Sequence, residues 1–287
     1  MKIGCILVLY NPDIDILEMS ISALIDQVDI IYIANNSKPQ GKFKFIDHYR
    51  EKIIYSAMDG NIGIAAAQNE GLKFLISNKY DYVLFMDQDS IAPHNLVQGL
   101  LSDLEFLRTK GVNVGAIGPR PINRQDNKAY IGLIKKGKKI TDGLTEVSEL
   151  ISSASFIPVP NFEEVGLMDA KLFIDGVDHE WCWRAGYFTK KRFFISENNH
   201  LSHQLGEGDR SILFKKVAIP TPFRTFYQYR NYFLLLRRKY VPLYWKISNG
   251  FKYFIKMFYY PLCLKPRRQY LKNISNGIYK GIFYSDK

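Results

Sequence analysis

Four clusters of polar side chains in this 287-residue chain have types and spacings that can do chemistry. Asp87-Gln88-Asp89 follows the apolar run Tyr82 to Met86 (YVLFM). Two carboxylates one residue apart can reach one divalent cation. Hard oxygen ligands suit Mg²⁺ or Mn²⁺, and such ions bridge protein carboxylates to substrate phosphates. The same residues also read as a solvated turn in which Asp89 or Ser90 caps a helix starting near Pro93. The second cluster is Asn61 to Gly71 (NIGIAAAQNEG). A glycine and small residues at a helix start let a ligand approach the backbone, and a helix N-terminus favours anions. Tight packing of the alanines on a sheet satisfies the same pattern. No Gly-Lys-Ser/Thr follows, so this is not a Walker A loop.

The third cluster is Asp175 to Arg184 (DGVDHEWCWR). Its acids crowd the start of a predicted helix, where the macrodipole stabilises them. Capping by Asp175 and Asp178 and a Glu180–Arg184 ion pair account for much of it. One cap is sufficient, which leaves Asp178 available as a general base for a substrate hydroxyl. The fourth is His200-Leu201-Ser202-His203, two histidines close together before a Gly-rich turn. A lone histidine is more often a surface or core residue than a metal ligand.

The elements that must position these clusters alternate. Ile3 to Tyr10, Asp29 to Ala34, Lys52 to Ser56, Tyr82 to Met86 and Val114 to Ile117 read as strands, the first two as continuous apolar runs buried on both faces. Helices are predicted from Asp13, as cap, to Ile25, over Ile64 to Ile76, from Pro93 to Phe106 and from Asp175 to a stop at Gly186. Strands alternating with helices imply right-handed βαβ units and a parallel sheet, with ligands beyond the carboxyl ends of the strands. Residues 120–150 lose this rhythm. Their Lys135, Lys136, Lys138 and Lys139 suggest a surface hairpin or mobile loop. Ser152 to Val159 is apolar again, and two or three helices follow Pro222.

An apolar share of 47% excludes a disordered chain. No apolar stretch is long enough to predict a bilayer span. Three widely spaced cysteines exclude a zinc cluster, and without a signal peptide at the start a reducing, cytoplasmic setting is expected. Charge is unevenly spread. Residues 211–287 hold 16 Lys and Arg against one acid, Asp286, whereas residues 1–210 hold 23 basic and 27 acidic side chains. The expected division is therefore a nucleotide-binding and catalytic domain over 1–210 and a basic, aromatic helical extension over 211–287. That extension fits a peripheral helix on an anionic membrane surface, or a helical appendage packed on the body. Nucleic acid is not an expected partner.

In this order and spacing the segments resemble the inverting GT-A glycosyltransferases of family 2, and within them the rhamnosyltransferase-like members. The matching residues are Leu9-Tyr10-Asn11, Asn35-Asn36-Ser37, Asn61-x-Gly63 with Asn69-x-Gly71, and Asp87-Gln88-Asp89. Further matches are Phe173-Ile174-Asp175-x-Val177-Asp178-x-Glu180-Trp181-Cys182-x-Arg184-Ala185, His203-x-x-Gly206 and Tyr227-x-x-Arg230-Asn231. The resemblance implies a Rossmann-like, mostly parallel sheet flanked by helices and holding a nucleotide-diphosphate sugar. It places Tyr10, Asn11, Asn61, Gly63, Asn69 and Gln88 near the nucleotide. Asn35 fills the slot where the family usually has an Asp facing the base. Asp87 and Asp89 would meet ribose and metal, with Asp89 the surer ligand. His203 would complete the metal site, and Asp178 would be the catalytic base. The expected donor is dTDP-rhamnose. The expected acceptor is a glycan, in some cases lipid-linked, in cell-surface polysaccharide or O-antigen synthesis at the inner face of the membrane. Two other classes fit in part. A sugar nucleotidyltransferase would need a Gly-rich, basic loop after the first strand, where this chain has Tyr10-Asn11-Pro12-Asp13. A non-catalytic membrane-surface binding protein would keep fold and tail without using Asp178.

Overall fold

The computed structural model describes residues 1–38, 43–123, 137–203, 209–212 and 215–284. Its central sheet contains β1 (Ile3–Leu9), β2 (Ile30–Asn35), β3 (Ile53–Ala57), β4 (Tyr82–Asp87), β5 (Val114–Asn123), β6 (Lys138–Thr141), β7 (Leu144–Val147), β8 (Ser155–Pro158) and β9 (Arg192–His203), in the order β3-β2-β1-β4-β8-β5-β9-β7-β6. The helices are α1 (Ile14–Leu24), α2 (Ile64–Ser77), α3 (Leu96–Thr109), α4 (Pro160–Val165), α5 (Val177–Thr189), α6 (Pro222–Leu236), α7 (Leu243–Cys263) and α8 (Arg267–Ile282). A separate antiparallel pair joins β10 (Asp209–Ile212) to β11 (Lys215–Ala218).

The pattern of apolar runs explains the core. Side chains alternate across a strand, so a run buried on both faces must serve two layers. Leu7 and Leu9 of β1 join Leu17 and Ile21 of α1 and Leu100 and Leu104 of α3 on one face. Ile6 joins Leu72 and Leu75 of α2 and Trp181 of α5 on the other. Asp13 caps α1, accepting from the amides of Asp15 and Ile16 at 3.1 and 3.2 Å. Gly71 lets α2 press against the sheet, because a Cβ there would meet Ile6 at 2.8 Å. Packing of the small residues in α2 is therefore real. Cys5 and Cys182 are buried and Cys263 is exposed, and burial pushes the first two thiols up.

The sheet departs from a simple parallel series. β3, β2, β1 and β4 are parallel, but β8 enters antiparallel between β4 and β5, and β5 pairs parallel with β9. β6 and β7 form the expected hairpin, with Lys138 and Lys139 exposed. Lys135 and Lys136 lie outside the described residues. The helix expected to stop at Gly186 runs on to Thr189 and ends at Lys190, which adopts the left-handed φ of 57°. Helix α3 begins at Leu96 rather than Pro93, with no side-chain cap from Asn95, Asp89 or Ser90. Among the described residues no helix is long and apolar enough to cross a membrane.

Candidate active site

The ends of β1 and β4 lie side by side, with Val8 opposite Asp87 in a parallel register. Gln88 ties the two turns together. Its Oε1 accepts the Tyr10 amide at 2.8 Å, and its Nε2 donates to the Tyr10 carbonyl at 3.2 Å. The amide side chain thus continues the strand pairing beyond the last residue of β4. Asp87 is half-buried and Asp89 is exposed at the rim. Tyr10 is exposed, and Asn11 takes a left-handed φ of 47° with its amide on Ser37 Oγ at 2.8 Å.

His203 enters through backbone register. Ile91 forms an isolated antiparallel bridge with Ser202, so the residue before Ile91 faces His203, beside Asp89. His203 also pairs with Asn123 at the end of β5. Asp89 and His203 are 114 positions apart in sequence, yet the bridge brings their backbones to the same end of the sheet. No group of three or more His, Cys, Asp or Glu able to hold a metal is found among the described residues. Two carboxylates plus substrate phosphate oxygens are a common donor set for Mg²⁺, and Asp87 and Asp89 are the residues here that could offer such a pair.

Asp178 stands in the first turn of α5. Its Oδ2 accepts the Ser152 amide at 3.1 Å and its Oδ1 accepts the His179 amide at 2.9 Å. The next residue, Ser153, places its hydroxyl 3.4 Å from that of Ser90. One peptide unit, Ser152-Ser153, therefore touches both the Asp178 carboxylate and the turn that carries Asp87 and Asp89. Arg224 closes the arrangement. Its guanidinium forks onto Asp175 at 2.6 to 3.1 Å. Burial works against its charge, but Asp175, Asp178 and Asp87 together raise its pKa. Burial also pushes the Asp175 carboxyl up, with Asp178 adding to the effect and Arg224 opposing it. Arg224 thus lies within the electrostatic reach of Asp175, Asp178 and Asp87.

Several expected site residues are engaged within the fold. Asn35 is buried, donating to the Tyr55 hydroxyl at 2.7 Å and accepting the Ser37 amide at 2.9 Å. Its neighbour Asn36 donates to the Gly63 carbonyl, and its buried Oδ1 has no partner among the described residues. Asn61 accepts the Gly63 amide at 3.0 Å. Gly63 itself has φ 86°, and a Cβ there would meet the Phe173 ring at 2.6 Å. The amides of Ile64 and Ala65 at the start of α2 go to the Phe173 carbonyl, so that helix end is closed by protein, not open to an anion. Asn69 clamps Met168 in both directions at 2.9 Å. Asp175 is not a helix cap, since it has φ 67° and pairs with Arg224.

Residues missed at the level of sequence explain how Asp178 is delivered. Phe173, Asp175 and Gly176 all have positive φ, a costly loop conformation. Buried Asn231 holds it, its Nδ2 reaching the carbonyls of Leu172, Ile174 and Asp175 at 2.7 to 2.9 Å. Arg230 adds bonds to Lys171 and Leu172. Tyr227 stacks on Phe173 at 4.5 Å between centroids. Inside α5, Glu180 is buried and binds Arg184, as the i,i+4 spacing predicts, and also Arg238 and Tyr240. The signal for these roles is the Tyr227-x-x-Arg230-Asn231 spacing, whose partners lie 54 to 59 positions upstream.

Comparisons with known proteins bear on the family and the fold. Residues 5–163, more than half of the chain, match Glycosyl transferase family 2. The chain is 31% identical over 251 residues to the dTDP-rhamnosyl transferase RfbF of Shigella flexneri, covering 84% of this chain and 82% of that protein. The structure of S. aureus TarS 1-349 in complex with UDP-GlcNAc superposes with a TM-score of 0.62 at 14% identity, over 98% of this chain and 82% of that one. That of GalNAc-T7 with UDP, GalNAc and Mn²⁺ gives 0.57 at 13% identity, over 91% of this chain and 57% of that one. The two solved structures share the fold, and the expected GT-A-type architecture is present. The length and identity of the sequence match carry the further conclusion that this chain belongs to glycosyltransferase family 2, is rhamnosyltransferase-like, and is a glycosyltransferase.

Proposed function

We propose that the protein is an inverting, metal-assisted glycosyltransferase that moves rhamnose from dTDP-rhamnose onto a hydroxyl of a glycan acceptor. The observation that supports this reading best is the Ser152-Ser153 segment, which binds the Asp178 carboxylate through the Ser152 amide and reaches the Ser90 hydroxyl, directly after Asp87-Gln88-Asp89, through Ser153, with Arg224 under the field of both Asp87 and Asp178. The donor is taken from the similarity to the dTDP-rhamnosyl transferase of S. flexneri.

In this reading Asp87 and Asp89, joined by His203, would hold Mg²⁺ or Mn²⁺, which would supply Lewis-acid charge for a departing diphosphate. Asp178 takes the proton of the acceptor hydroxyl as that oxygen forms a bond to the anomeric carbon. The bond from the anomeric carbon to the diphosphate oxygen breaks in the same displacement, so configuration inverts and no covalent enzyme intermediate forms. The two amides on Asp178 fix its orientation. They leave the lone pairs not aimed at Ser152 and His179 to receive the proton.

The test is a panel of nucleotide sugars with a saccharide acceptor, with and without Mn²⁺, read as nucleoside diphosphate released and as the anomeric configuration of the product by NMR. Metal-dependent release of dTDP with an inverted product supports the reading. Formation of a nucleotide sugar and inorganic pyrophosphate from a nucleoside triphosphate and a sugar 1-phosphate, supplied in a parallel assay, would indicate a nucleotidyltransferase. No turnover with any donor would favour a binding protein.

A further inference from the structure

We propose that the outer face of α7 docks this protein on an anionic lipid surface, lying in the headgroup region rather than crossing the bilayer. Helix α7 is 21 residues long, and only Tyr260 in it is buried. Leu243, Ile247, Phe251, Phe254, Phe258 and Leu262 are each 53 to 69% exposed. Their spacings of three and four residues place them within an arc of about 100° around the helix. No charged residue falls in that arc. Lys252 is exposed about 80° beyond it, and Lys265, Arg267 and Arg268 follow the helix end. A continuous apolar stripe of this kind is not left to water without a use.

Charge selects the occupant. From residue 211 to residue 285 there is no Asp or Glu. A second copy seated on this face would bring two basic surfaces together, which like-charge repulsion opposes. An anionic membrane provides apolar depth for the aromatic stripe and phosphate charge for the flanking cations.

The inner side of the same helix is fixed to the body. Tyr253 packs on Tyr229 and Tyr232 at 5.3 and 5.2 Å, and its carbonyl accepts the Tyr229 hydroxyl at 2.7 Å. Tyr229 and Tyr232 belong to α6, whose Arg224, Arg230 and Asn231 hold the loop that precedes Asp178, so docking through α7 would tie that loop to the lipid surface.

The experiment is co-sedimentation of the full chain with vesicles of phosphatidylglycerol and phosphatidylcholine, against phosphatidylcholine alone, at low and high salt. The wild type should pellet with the anionic vesicles at low salt and be released as salt rises. The variant with Phe251→Ser, Phe254→Ser and Phe258→Ser should bind roughly tenfold or more weakly, since three aromatic anchors are removed. Its circular dichroism should be unchanged, because these side chains are exposed. A wild type that stays in the supernatant with anionic vesicles at low salt overturns the proposal. So does a triple variant that binds as well as wild type, or one that converts a wild-type dimer into monomers. Asp178→Asn should pellet normally, so failure of the transferase reading and failure of the docking face are seen in different assays.

Discussion

The two walls of the site are built in opposite ways. The wall carrying Asp87 and Asp89 is set by backbone: neighbouring parallel strands fix the register of Val8 and Asp87, and a single bridge brings His203 alongside. The wall carrying Asp178 is set by side chains reaching across the fold, from Asn231, Arg230 and Arg224 onto a loop with positive φ. A backbone-built wall tolerates most single substitutions. A wall held by a few buried polar side chains fails when one of them is removed, because its partners are left unsatisfied.

The largest expected effect tests the base itself. Asp178→Asn should lower kcat by about 10²- to 10⁴-fold with donor affinity nearly unchanged, measured by steady-state kinetics and donor titration. Near-wild-type turnover would remove Asp178 from its role. Glu180→Ala should then cost about 3–5 kcal/mol of stability in urea unfolding, because Arg184 and Arg238 would keep buried charge without their carboxylate. A loss under 1 kcal/mol by the same measurement would show that this wall has other support. Asn231→Leu should destabilise by about 1–3 kcal/mol, and turnover should fall more than donor affinity as the Asp178 loop loosens. On the backbone-built wall, Gln88→Ala should cost only about 0.5–1.5 kcal/mol, since register survives the loss of its two bonds. If Gln88→Ala proved more damaging than Asn231→Leu, the contrast between the walls would be reversed. Smallest of all, Lys139→Ala should leave the urea unfolding midpoint where it is, because its ion pair with Asp142 is exposed.

The same contrast decides what the sequence discloses. Strands β1, β2 and β4 are legible as short apolar runs because both of their faces are buried, and the residues that follow them are where the site lies. The Asp13 cap and the Glu180–Arg184 pair are legible because their partners are within four positions. Strand β9 is not, since the polar stretch Ser196 to His200 interrupts its apolar start, and its pairing crosses the fold to β5. The antiparallel entry of β8 is set by pairing that no local period encodes. Asn69 shows the limit for single residues. Its type and helix face suit a nucleotide contact, yet its partner is the backbone of Met168, 99 positions away. Asp175 looks like a cap until Arg224, 49 positions on, claims it.

The contrast between the three thiols has a practical consequence. Cys5 and Cys182 are shielded in the core, while Cys263 ends α7 in the open. A maleimide dye offered to the folded protein will mark that one place. Its colour will then report whether the end of the aromatic helix sits in water or in oil, while every group that touches sugar or phosphate stays unmodified.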